Sequence, residues 1–200
     1  MPVANCHTVE KKPRTTRKKP VAPAPIIKRS ISREIGVFID GISLDRAARR
    51  ERRRVDFQAL LNGVCEGLKP SIVKYYTVIP YEDDSRHRSY LDAVKDAGYE
   101  IIVKRLPPKG IDRQVSTDVE MTTDLIAFAH RGFSTPESTN SLRAIVVCPS
   151  RDLSYPFQYL HTHKVDTVSF DFGKFLGANV LKSANKWVDL SDTQSIWLQE

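Results

Sequence analysis

From residue 35 onward this chain alternates short apolar runs with stretches of helical periodicity, and that alternation constrains its fold more than any other feature. Ile35–Ile39, Ile72–Val78, Tyr99–Lys104, Ala144–Cys148 and Val165–Phe170 read as buried strands. Between them lie an Arg-rich helical stretch reaching about Arg54 and a helix from Phe57 to Leu68 behind an Asp56 N-cap. Further helices run from Ser85 to Ala97 (closed by Gly98), from Thr117 to His130 (ended by Gly132) and from Tyr155 to His163. The end, Asn179 to Leu190, reads as a short helix and an extended piece. Apolar strands that alternate with helices build βαβ units, so the expected class is α/β with a mainly parallel sheet. Such sheets bind ligands at the carboxyl ends of their strands, where the strand order reverses. Three places follow from that rule: Asp40-Gly41, the loop from Lys104 to Asp118, and Pro149 to Asp152.

Charge divides the chain in two. The net charge is +7, but nine lysines and arginines against Glu10 alone give residues 1–33 a charge of +8. The remainder is therefore close to neutral, and any anion-binding face on it must be local. Residues 1–33 contain KKPRTTRKKPVAPAP and no aromatic residue. Such a segment buries too little apolar area to offset its ordering entropy, which predicts a disordered basic tail. Lys18 and Lys19 within it are candidates for nucleic-acid contact, since clustered cations displace condensed counterions. Residues 34–192 form the expected domain and 193–200 a C-terminal tail. No apolar run approaches the roughly 20 residues that span a bilayer, and no secretory h-region opens the chain. Cys6, Cys65 and Cys148 are widely spaced thiols without a CxxC, which fits a reducing compartment, with the cytoplasm expected.

Each selected strand end offers a carboxylate: Asp40; Asp118 and Asp124, with Asp112 before them; and Asp152. Acids converging from separate strand ends suit a hard dication, Mg²⁺ or Mn²⁺, which takes oxygen ligands. The ordinary alternative for any one of them is a helix cap or a turn. No GxGxxG or GxxxxGK[ST] loop occurs, which argues against a nucleotide cofactor. A haloacid-dehalogenase site would need a second acid where Ile42 stands. In DRAARRERRRVD, Arg46, Arg49, Arg50 and Arg53 share a helical face that would follow a phosphate backbone. Tyr75, Tyr76 and Tyr81 are either base-stacking platforms or core residues. His87, His161 and His163 read as isolated histidines rather than metal ligands.

Four segments, VFIDGISL (Val37–Leu44), DVEMTTDLIAFA (Asp118–Ala129), AIVVCPSRDL (Ala144–Leu153) and LKSANKWVDL (Leu181–Leu190), occur in the order and spacing of one family. The chain resembles the NYN domains, relatives of the PIN-domain ribonucleases that include the LabA-like proteins. The resemblance implies a three-layer α/β/α sandwich with a PIN-like sheet and, in active members, metal-dependent RNA cleavage by clustered aspartates. Carried over by position, Asp40, Asp118, Asp124 and Asp152 are the expected catalytic acids. Asp40, Asp118 and Asp152 would hold Mg²⁺ or Mn²⁺; a competing alignment uses Asp112 first. Two departures stand out: Ser43 replaces an expected Asn, and Ser150, between Pro149 and Arg151, replaces the first Asp of the late loop. Fewer acids mean a weaker hold on a dication. The expectation is thus a metal-dependent endoribonuclease acting on RNA, single-stranded by preference, or alternatively a catalytically degenerate RNA-binding or regulatory module on the same fold. No membrane partner is expected, and the sequence is compatible with a homo-oligomer.

Overall fold

A computed structural model of the chain describes residues 33–82, 85–111, 113–131, 141–173, 183–191 and 193–198. The basic tail, Lys18, Lys19, Cys6 and Asp112 lie outside them. The elements run β1 (Arg33–Asp40), α1 (Gly41–Glu51), α2 (Phe57–Val64), β2 (Ile72–Ile79), α3 (Ser85–Asp96) and β3 (Glu100–Arg105). They continue through α4 (Asp118–Arg131), β4 (Ser141–Val147), α5 (Ser154–Thr162), β5 (Asp166–Asp171) and β6 (Lys186–Asp189). The six strands form one sheet in the order β3-β2-β1-β4-β5-β6, and every neighbouring pair is parallel. The α/β class expected from the alternation is the one observed.

β1 is central, so both its faces are covered and its sequence is apolar without a polar stripe. Ile35, Val37 and Ile39 face one core with Leu44, Leu60, Val94 and Tyr75. Phe38 faces a second core with Met121, Leu125, Phe128, Phe157 and Leu160. Helices α1, α2 and α3 thus cover one side and α4 and α5 the other, giving three layers. Tyr75 and Tyr76 are fully buried on opposite faces, which decides for core packing over base stacking; Tyr81 stays exposed. No helix among the described residues is long and apolar enough to cross a membrane.

Several boundaries differ from the sequence expectation, α2 ending at Val64 rather than Leu68 and β4 starting at Ser141 rather than Ala144 among them; two others have a clear local reason. α1 ends at Glu51 rather than near Arg54, because Arg52 takes a left-handed φ of 54° and its N–H closes onto the Ala48 and Arg49 carbonyls. Arg53 then leaves the helix and lies 5.2 Å over the Trp197 ring. The second concerns the end of the chain, expected as a tail. Ile196 and Trp197 are buried, Val55 bridges Trp197 in antiparallel fashion, and Asp56 N–H donates to the Ile196 carbonyl at 2.9 Å. Residues 193–198 are therefore part of the folded unit. The expected helix after Asn179 falls largely outside the described residues, and the extended piece that follows is β6.

Candidate functional site at the strand ends

The strand order reverses between β1 and β4, and the carboxyl ends of these strands carry Asp40 and the Cys148–Ser150 turn. Asp40 is 6% exposed. Its Oδ1 accepts from the Ile42 and Ser43 amides at 3.0 and 3.1 Å, and its Oδ2 from Ser43 Oγ at 2.6 Å. It therefore caps α1, and the Ser standing for Asn supplies one of the donors. Gly41 is obligatory beside it: a Cβ there would lie 2.3 Å from the Tyr75 ring. Burial raises the Asp40 pKa above its ordinary value, hydrogen bonds from Ser43 oppose this, and the negative charge of Asp118 adds to it. Asp40 thus feels the charge of Asp118, although the two come from β1 and from the start of α4.

Asp118 opens α4. Ser150 Oγ donates to its Oδ1 at 2.7 Å, and Ser116 Oγ makes a short hydrogen bond to Oδ2. Ser116 Oγ also accepts from the Asp118 amide at 3.0 Å, fixing the turn into the helix. The residue in place of the expected acid is therefore not idle: Ser150 is a hydroxyl donor where a second carboxylate would have repelled Asp118.

Asp124 is committed elsewhere. Lys74 Nζ donates to its Oδ1 and Tyr76 Oη to its Oδ2, at 2.8 and 2.7 Å. Those partners come from β2, and they neutralise and orient the carboxylate as a helix-to-sheet tie. Asp152 lies exposed in the 3-10 turn Arg151–Leu153, whose buried member is Leu153; Arg151 is exposed as well. The structure thus brings Asp40 and Asp118 together with Ser150, and gives Asp124 and Asp152 other surroundings. Among the described residues, no three His, Cys, Asp or Glu side chains are grouped so as to hold a metal ion.

Two further acids lie at strand ends. Asp171 closes β5 and Asp189 closes β6. Burial lifts the Asp171 pKa from 3.8 to about 6; its own Phe172 amide and the Cys148 thiol, both donating to it, oppose this, and Asp189 and Asp40 add to it. Asp189 Oδ1 accepts from the Gly173 and Ser191 amides at 2.9 and 2.8 Å, stapling two turns. The signal that finds both is the one that found Asp40, an acid directly after an apolar strand.

Of the arginines expected on one helical face, Arg49 and Arg53 line a cavity of about 830 Å³ between α1, α2 and α3, joined there by Arg54 and Arg86. Arg46 and Arg50 are exposed but not part of that lining. Arg49 pairs with Asp45 across one helical turn at 2.9 Å. On the other side of the site, Lys104, Arg105 and Arg113 surround Ser116. Lys104 is tied to the Ser116 carbonyl and to Glu120, at 2.7 and 2.8 Å. Arg86, Arg105 and Arg113 carry no helical periodicity that would single them out in the sequence.

A dication of the expected kind would meet two carboxylates, Asp40 and Asp118, whose four oxygens already accept hydrogen bonds from the protein. Mg²⁺ demands near-octahedral oxygen ligation and dehydrates reluctantly. As they stand, these residues fit a resident metal poorly.

A parallel sheet of this order is common to many doubly wound α/β folds, and it is the family match that implies a PIN-like, nuclease-type fold. The family model for the NYN domain matches residues 34–188, and the chain belongs to that family. Among solved structures it is similar to a protein of unknown function, VPA0982 from Vibrio parahaemolyticus RIMD 2210633. That similarity has a TM-score of 0.69 at 15% identity over 86% of this chain and 100% of the other, and it speaks for the fold alone. No curated protein matches the chain.

Proposed function

We propose that this NYN domain holds RNA rather than cutting it, the acidic pair having become part of the scaffold. One observation carries this: the hydroxyl of Ser150 donates to Asp118 at the position where an active member would present another acid. With Asp40 capping α1 and Asp124 paired to Lys74, the acids serve as hydrogen-bond acceptors within the protein. The strand-end arginines and the basic N-terminal segment then supply the affinity, through phosphate contacts that release counterions.

This is tested by anisotropy of a labelled RNA single strand with Mg²⁺ or with EDTA, over a range of salt. Affinity unchanged by EDTA, falling steeply with salt and retained by Asp40→Ala is the expected result. Binding that needs Mg²⁺, or no binding to RNA, would refute the proposal.

Metal-dependent cleavage is the second reading. It is favoured by the placing of two carboxylates near each other at the strand ends, the negative charge of Asp118 adding to the rise in the Asp40 pKa. Mg²⁺ is often held by one or two carboxylates plus substrate phosphates. On this reading Asp40 and Asp118 would be the ligands, with the RNA completing the shell.

A further inference from the structure

Between α1 and α3, at the carboxyl end of β2, lies an open hollow of about 590 Å³. That volume falls within the roughly 300–1,000 Å³ typical of pockets that enclose small ligands. Ile42, two residues after Asp40, forms one wall, with Val78 below it and Leu91, Leu106 and Val115 around the rest. Tyr90 adds an aromatic face. Its ring is fixed at both ends: Tyr90 Oη lies 2.7 Å from Tyr75 Oη, which is itself 3.4 Å from the Gly41 carbonyl, and the ring packs edge-on against Phe57 at 5.7 Å. A rigid ring beside apolar walls gives a nucleobase a surface on which to stack, whatever its sequence.

The hollow is flanked by cations on both sides. Arg49 and Arg86, which outnumber Asp45, line it and also line the larger cavity with Arg53 and Arg54. Val115 is shared with a second opening, of about 460 Å³, lined by Lys104, Arg105 and Arg113 next to Ser116. Cationic, then aromatic and apolar, then cationic is the order in which a single strand presents phosphate, base and phosphate. A duplex keeps its bases stacked inside and cannot offer one to such a hollow without paying for unstacking.

We propose that this hollow is a base subsite: it takes one unpaired nucleotide of an RNA single strand, its flanking phosphates directed to Arg49 and Arg86 on one side and Arg105 and Arg113 on the other. The proposal rests on the reading that the chain holds RNA, and it adds where and in what form.

The experiment replaces each nucleotide of a short labelled single strand, one at a time, by an abasic residue and measures Kd for the unaltered protein. One position should weaken binding about 5- to 150-fold, the range that stacking of a base on an aromatic ring supplies. Leu106→Trp, at a rim position that is 41% exposed, should fill the hollow. It should lose that same factor, abolish the difference between intact and abasic strands, and leave duplex affinity and thermal unfolding unchanged. If the strand binds but every abasic replacement is tolerated, the subsite is wrong and the RNA reading survives. If neither single strand nor duplex binds, both fail.

Discussion

Asp171 is a carboxyl held where water reaches it poorly, beside the Cys148 thiol and within electrostatic range of Asp189 and Asp40. Its folded pKa of about 6 lies above the ordinary 3.8. The group therefore contributes stability that is complete below about pH 3.8 and is lost as pH rises through 6. Asp171→Asn keeps the acceptor and removes the charge. It should be more stable than the unaltered protein above pH 7, by on the order of 1–2 kcal/mol after allowing for solvent screening of a partly exposed carboxyl, with the advantage gone near pH 4. Urea unfolding at several pH values reads this directly; a pH-independent difference would show that the carboxyl is not strained. At this scale the sequence was legible where chemistry is local. Asp40 follows an apolar strand and announces itself. The role of Asp124 is hidden because its partners, Lys74 and Tyr76, lie on a strand about fifty residues earlier. The exposure of Asp152 is not legible either, because the turn after Ser150 coils into a 3-10 helix that buries Leu153 and leaves its neighbour in water.

The elements were more legible than the residues, since period and punctuation are properties of a window. Asp56 was expected to cap α2 and does so, its Oδ1 accepting from the Ala59 amide at 2.9 Å. The C-terminal segment was not legible, because a short 3-10 turn has no period and its apolar pair has no strand context. Ile196 and Trp197 nonetheless complete the core under α2, with Trp197 5.7 Å from the Phe172 ring. Trp197→Ala should cost about 3–5 kcal/mol, the range for emptying a buried aromatic site. Chemical denaturation measures it, and a loss below about 1 kcal/mol would mean that the segment merely lies on the surface.

For the whole molecule, the alternation of strands and helices sufficed to indicate a parallel sheet, and strand-end logic then located the Asp40–Asp118 region. What the alternation could not convey is which acids converge, because that depends on how α4 and the turn after β4 enter the reversal point. The folded part is nearly neutral, and Arg49, Arg53, Arg54, Arg86, Arg105 and Arg113 lie about the openings between α1 and the β3–α4 connection. Only in the assembled fold do Ser150 from one end of the sheet and Asp118 from a crossing helix meet as donor and acceptor. The account turns on that contact, and the most direct test is Mn²⁺-dependent cleavage of a labelled RNA single strand by the unaltered protein, Asp40→Ala and Ser150→Asp side by side. The account predicts that the unaltered protein cleaves no faster than Asp40→Ala, while Ser150→Asp, with a further carboxylate, gains cleavage that EDTA abolishes. Cleavage by the unaltered protein that EDTA and Asp40→Ala both remove would contradict it.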